Sequence, residues 1–526
     1  MKALLPHNRE LLLQLRSTKI QVSLALLFLL IALLASGFFL AQQQKDVHIL
    51  PAPSRHNPIQ QENQLPGTTA WRVTKESPFD DKTFRYPYIE GYASTTSAIA
   101  GDTVSFSVST NQPHFTAAIY RLGWYQGKGG RLLQSIPYIP GHFYPMPAMD
   151  PQTGLVQADW PASFSVKIAT NWVTGMFLVK LTAANGMETY VPFAVRSVHL
   201  TDFVFIHAAT TDQAYNSWGG KSLYDFDSKG GQRAYKVSFD RPLSQVGVGN
   251  LMLWEYPMIR WLERNGYDVG YLSTEDIQSD GALLKNHHGI LVVGHSEYWS
   301  KQMRDNLESA VNSGVNFANF AADTMTWQIR YEPSSSKNGS IPNRIIVSYK
   351  DDKLDPLNGI DNSQVTIAPT DPLLNNPPQT LLGEMYGGSF DFNTSYDWVV
   401  ADASSWVFDG TGLKNGDRLP GLVGYEYDKV FATFPTPPGL DILASSPVRN
   451  ITHANDVSNA TLYMASSGAQ VFDAGSIHWP WGLDSFDING GHKNVVSQAA
   501  QRITENILTV FLTNGPNETG ATVSPR

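Results

Sequence analysis

Three short stretches set two phenols, two carboxylates and an imidazole at the ends of apolar runs. They are Ala214-Tyr215-Asn216-Ser217-Trp218-Gly219-Gly220 running on to Ser222-Leu223-Tyr224, then Gly294-His295-Ser296-Glu297-Tyr298-Trp299, then Gly424-Tyr425-Glu426. Tyr215, Tyr224, His295, Glu297 and Glu426 suit two chemistries. Oxygen-rich donor sets favour hard metal ions, and a positioned carboxyl and imidazole can pass protons. The chain contains no cysteine. Thiol nucleophiles, zinc-thiolate sites and thiolate-held iron-sulfur clusters are therefore excluded, and any nucleophile is an oxygen or a nitrogen.

Each residue also has an ordinary structural reading. A tyrosine in a loop rich in tryptophan and glycine can be packing with its hydroxyl hydrogen-bonded, and His295 can be a core histidine. Glu297 can cap a helix beginning near Ser300, because acids favour helix N-termini. A metal-free hydrolase using Ser296 or Ser300 lacks the Gly-x-Ser-x-Gly elbow.

The positioning elements follow from periodicity. Val204-Phe205-Ile206, Asp268 to Leu272, Ile290 to Val293 and Val315 to Phe320 read as strands. Between them, Asn250 to Asn265 has apolar residues at helical spacing and stops at Gly266, and Ser300 to Asn312 is a helix closed by Gly314. A further helix is expected over Val495 to Leu512. Strands alternating with helices predict a parallel sheet with crossover connections, and ligands bind beyond the carboxyl ends of such strands. Tyr215 and Tyr224 follow one strand and His295 and Glu297 follow another, so the two stretches can converge. If the strand continues past Val293, its alternation puts His295 and Glu297 on one face.

Upstream, Thr103 to Val108, Phe115 to Tyr120, Ser163 to Ile168 and Gly175 to Leu181 are short alternating runs split by turn residues, the pattern of a β-sandwich.

These motifs resemble the large-subunit family of N,N-dimethylformamidase, in its C-terminal catalytic region. The resemblance rests on Ala214 to Tyr224, Trp261 to Val269, Gly294 to Ser300, Gly424 to Glu426 and Gly475 to Asp484, with Tyr120 to Gly127 and Trp172 to Leu181 matching the sandwich that precedes it. It implies a glutamine-amidotransferase-like α/β fold with a parallel-sheet core after an immunoglobulin-like all-β sandwich. It also implies a mononuclear iron held by Tyr215, Tyr224 and Glu297, with His295 and Glu426 as the catalytic pair. The segment Ala321 to Trp327 departs from the family pattern, which bears on substrate identity more than on fold.

The address is read from the N-terminus. Ile20 to Ala41 is long and apolar enough to span a bilayer, and Lys2, Arg9, Arg16 and Lys19 precede it. The expectation is a single-pass membrane protein with a cytoplasmic N-terminus and a periplasmic or extracellular catalytic region. The domains expected are a basic segment over 1–19, a transmembrane signal anchor over 20–41, a tether over 42–70, a β-sandwich over 71–198, an α/β domain over 199–515 and a disordered tail over 516–526. A net charge of -9 over 526 residues argues against nucleic acid, which asks for a basic face.

Together these readings point to a membrane-anchored amidohydrolase that uses iron to cleave an amide or related C–N bond in a small-molecule or envelope substrate, with a homo-oligomer left open. The alternative is a non-catalytic surface module that binds an envelope glycan or protein, using Trp299, Trp327, Trp479 and Trp481 for stacking.

Overall fold

Apolar runs interrupted by glycine-closed helices build a seven-stranded sheet at the centre of the protein. In the computed structural model, which describes residues 57–245, 247–334, 339–487 and 496–514, its strands are β1 (Phe203–His207), β2 (Val269–Ser273), β3 (Gly289–His295), β4 (Asn316–Ala322), β5 (Asp441–Arg449), β6 (Asn455–Met464) and β7 (Gln470–Asp473). They lie in the order β2-β1-β3-β4-β7-β6-β5. The pairs from β2 through β7 are parallel, and β7–β6 and β6–β5 are antiparallel. Every residue of β1 to β4 is buried, as expected of strands covered on both faces. Phe205, Leu291, Val293 and Phe320 pack on one side with Trp261 and Ile507. Val204, Ile206, Ile290, Val292 and Phe317 pack on the other with Met303 and Leu307.

Two further sheets make the N-terminal sandwich. One has three strands, Ile89–Ala93, Thr103–Thr110 and Phe164–Lys167, and the other has five, Ser97–Ala98, Glu188–Val195, Gly175–Ala183, His114–Leu122 and Gly130–Pro140. Val104, Phe106 and Val108 of the first share a core with Ile119, Phe177 and Phe193 of the second. A buried fork joins this sandwich to the central sheet. Arg121 donates to both carboxylate oxygens of Glu263 at 2.8 and 2.9 Å, on the helix Tyr256–Arg264. Breaking one side of such a pair costs about 3–5 kcal/mol, because the other charge stays buried. The described residues from Asn57 onward form one compact unit.

The expected fold class needs correction. Instead of a glutamine-amidotransferase-like α/β domain, the molecule is predominantly β, with 23 strands in six sheets among the described residues. Among the described residues the longest α-helix has 17 residues, Gln498–Asn514. The parallel strands are one part of a mixed sheet, and the link from β1 to β2 contains α-helices of only six and nine residues. The turn-rich region after residue 327 adds small antiparallel sheets of short, irregular strands such as Met385–Ser389 and Glu426–Lys429, which carry no long apolar run.

The expected localisation is also corrected. Among the described residues no helix is long and apolar enough to cross a membrane, so none of them supports the expected single-pass membrane protein. The anchor expected at 20–41 and the tail at 516–526 lie outside the described residues.

Candidate functional site

The loop that follows β1 is shaped from inside by residues with no chemical role. Arg241, fully buried, donates to the carbonyls of Trp218, Lys221, Gln213 and Asn216 at 2.7–3.2 Å. Trp218 sends its indole N–H to Glu90 Oε2 at 2.7 Å, fastening the loop to the sandwich. Gly219 has φ +80°, and a Cβ there would stand 2.6 Å from Val156 Cγ1, so glycine alone fits. With its path fixed, the loop presents Tyr215 at the end of the helix Ala209–Ala214 and Tyr224 beside it, rings stacked at 4.6 Å.

Three oxygens meet there. The Tyr215 hydroxyl donates to the Tyr224 hydroxyl at 3.1 Å, and the Tyr224 hydroxyl donates to Glu297 Oε1. Glu297 is 2% exposed and is held by its own N–H, which donates to Thr211 Oγ1 at 3.0 Å. Its second oxygen, Oε2, has no hydrogen-bond partner.

That second oxygen faces His295. The imidazole Nε2 lies 3.4 Å from Glu297 Oε2, 3.3 Å from Asp323 Oδ2 and 3.2 Å from Glu426 Oε2. Donor atoms of His295, Asp323 and Glu426 all fall within 4.8 Å of one another. Local constraints aim each group. Gly294 turns the end of β3 at φ +72°, where a Cβ would stand 2.2 Å from Trp254 Cβ. Asp323 also has positive φ, +57°, and its N–H donates to Asp428 Oδ1 at 2.8 Å. The turn before Glu426 is pinned by Ser476, whose Oγ accepts from Gly424 N at 2.9 Å and donates to Leu422 O at 2.6 Å.

Burial dominates the electrostatics. It pushes the Glu426 carboxyl up to about 8, with Asp323 and Glu297 adding to the effect and His295 opposing it. Asp323 rises to about 6 for the same reason, with the Glu297 charge next. Burial by itself would lower His295, but Glu426, Asp323 and Glu297 hold it well above its ordinary value. Burial and the Glu297 charge push both phenols, Tyr215 and Tyr224, well above theirs. Phenolate at this site therefore requires a neighbouring positive charge. Lys350 is one such group. Its Nζ lies 3.5 Å from the centre of the Tyr224 ring and donates to the Tyr298 hydroxyl at 2.6 Å, and burial brings its pKa down to about 8.

All five residues singled out from the sequence thus lie in one cluster of contacting side chains. Two others were missed. Asp323 follows the apolar strand β4 just as His295 ends β3, a signal that was present in the sequence. Lys350 lies in the turn-rich region and has no such signal. Glu297 is not the helix cap, because Ser300 Oγ accepts from Met303 N and caps Lys301–Asn312 itself. Of the four tryptophans considered for stacking, Trp299, Trp479 and Trp481 are buried.

The family model described as "N,N-dimethylformamidase beta subunit-like, C-terminal" matches residues 116–494. N,N-dimethylformamidase beta subunits of Paracoccus aminophilus and Alcaligenes sp are each 24% identical to this chain, over 314 and 343 residues. Those matches cover 52% and 57% of this chain and 39% and 43% of the relatives, so the chain spans about two-fifths of their length. A cycloisomaltooligosaccharide glucanotransferase of Paenibacillus sp. overlays with a TM-score of 0.16 and 10% identity, over 51% of this chain and 35% of that one, an overlap too slight to inform the fold.

Proposed function

Because this chain belongs to the N,N-dimethylformamidase beta subunit-like family, we propose that it is a hydrolase of an amide or related C–N bond in a small molecule. The observation that carries this reading is the meeting of Tyr215, Tyr224 and Glu297 oxygens with the His295, Asp323 and Glu426 group in one cluster.

Tyr215, Tyr224 and Glu297 are the residues that would hold iron. The donor chemistry fits, since all three offer hard oxygens, and those oxygens already adjoin in a chain from Tyr215 through Tyr224 to Glu297 Oε1. Bound iron supplies Lewis acidity, the property that polarises a carbonyl and lowers the pKa of water.

The chain's own residues carry the protons. As the water oxygen forms its bond to the carbonyl carbon, its proton passes to the His295–Glu426 pair. The same pair returns a proton to the nitrogen as the C–N bond breaks, leaving a carboxylic acid and an amine. Glu426 suits this work because its pKa, about 8, lies near neutrality, where a group can both accept and donate. The two titrate together, so the proton belongs to the pair. Lys350 adds positive charge against the Tyr224 ring. The relatives are named as subunits, and assembly into an oligomer belongs to the same proposal.

Amine release by iron-loaded protein from a panel of formamides, acyl amides and ureas tests the reading. It predicts turnover of at least one class, with loss in Glu426→Gln. Inertness across the panel would count against it.

A further inference from the structure

The imidazole that the proposed reaction uses for protons is also the centre of a ligand set. His295 Nε2 lies 3.2 Å from Glu426 Oε2, 3.3 Å from Asp323 Oδ2 and 3.4 Å from Glu297 Oε2, and all four residues are buried. One ring nitrogen carries at most one proton, so it can serve only one of the three oxygens at a time. It is hydrogen-bonded to Asp323 Oδ2. Glu426 Oε2 and Glu297 Oε2 approach the same nitrogen but accept no hydrogen bond from any described residue, a costly state for buried carboxylate oxygens.

The spacing is that of ligands round an ion. Nitrogen and oxygen donors held about 2.0–2.1 Å from a tetrahedral zinc ion stand roughly 3.3–3.4 Å apart, close to all three separations from Nε2. Donor atoms of His295, Asp323 and Glu426 lie within 4.8 Å of one another. Two of the carboxylates also have their second oxygen already committed. Asp323 Oδ1 accepts from Thr326 Oγ1 and Glu297 Oε1 accepts from the Tyr224 hydroxyl, which leaves Oδ2 and Oε2 for the ion.

We propose that His295, Asp323 and Glu426, with Glu297 Oε2 as a fourth donor, bind a divalent cation of the zinc class beside the tyrosine set. An imidazole nitrogen among carboxylate oxygens suits such an ion better than calcium, which takes oxygens alone. Binding releases the proton on Nε2 to solvent. The consequence for activity rests on the reading of His295 and Glu426 as the proton-carrying pair: the ion ties up both and acts as a reversible inhibitor.

The test is calorimetric titration of the iron-loaded full chain with zinc chloride, with bound iron measured before and after and amine release followed in parallel. The expected result is one zinc per chain bound without loss of iron, and turnover that slows with occupancy and recovers on dialysis. Zinc affinity should fall roughly 10- to 100-fold or more in Asp323→Asn and in Glu426→Gln, and persist in Tyr215→Phe, which alters only the tyrosine set. Either carboxamide variant decides the matter if the other fails to fold. No zinc binding, binding unchanged in both carboxamide variants, or zinc that enters only by displacing iron overturns the site. Full zinc occupancy with an unchanged rate overturns the inhibition. An inert substrate panel would count against the hydrolase reading, while the calorimetry still decides the site.

Discussion

His295 Nε2 stands 3.2 Å from Glu426 Oε2, so the end of β3 and the turn at Gly424 meet atom to atom although 131 residues separate them in sequence. If this pair carries the proton of the reaction, Glu426→Gln should lower kcat by roughly 10²- to 10⁴-fold while KM moves little. His295→Asn should lose a similar amount, and the double variant should lose little more, because residues acting as a unit are not additive. Steady-state kinetics on any substrate from the panel checks this. Independent, additive losses would separate the two roles.

Trp218 is the tie between the tyrosine loop and the sandwich. Trp218→Phe removes the indole N–H from Glu90 Oε2, which keeps its bond from Tyr86 N at 2.9 Å. The expected loss is about 1–2 kcal/mol, read as a lower urea midpoint with unchanged slope, together with weakened metal retention as Tyr215 and Tyr224 shift. A midpoint equal to that of the unaltered protein would show that the bond does not hold the loop.

Stability should fall as pH rises, through a buried pair behind the site. Burial alone would lower His207, but Glu255, 2.8 Å from its Nδ1, raises it from 6.5 to about 9. Burial raises Asp212 from 3.8 to about 7. In both cases the folded state binds the proton more tightly than the unfolded state. The stabilisation from His207 is complete below about pH 6.5 and is lost as pH rises through 9, and that from Asp212 is lost between about 4 and 7. Urea midpoints across this range should decline, and His207→Gln should flatten the part above pH 6.5, worth on the order of 3 kcal/mol. An unchanged slope in the variant would contradict this assignment.

How much of the fold and site is legible in the sequence depends on the residue. β1 and β3 are uninterrupted apolar runs, so hydrophobic patterning alone locates their ends, and with them His295 and Glu297. The stretch from Ala214 to Gly220 is recognisable as a motif, but most of it turns out to be scaffold. Asn216 and the two glycines shape the loop for Arg241 and Val156 to hold, and only Tyr215 reaches the cluster. Asp323 is readable by the rule that finds His295. Asp428 and Lys350 are not, because they lie on short bulged strands and turns such as Met385–Ser389 and Glu426–Lys429, where neither period 2 nor period 3.6 persists. The same irregular strands explain why periodicity suggests an α/β fold where a mostly β one is found.

The central claim is that Tyr215, Tyr224 and Glu297 hold iron, and metal analysis joined to visible spectroscopy tests it most directly. Protein purified from iron-replete culture should contain iron in proportion to the chain and show a phenolate-to-metal absorption band that weakens in Tyr215→Phe and again in Tyr224→Phe. Protein free of transition metal, or a band unchanged in both variants, would contradict the claim.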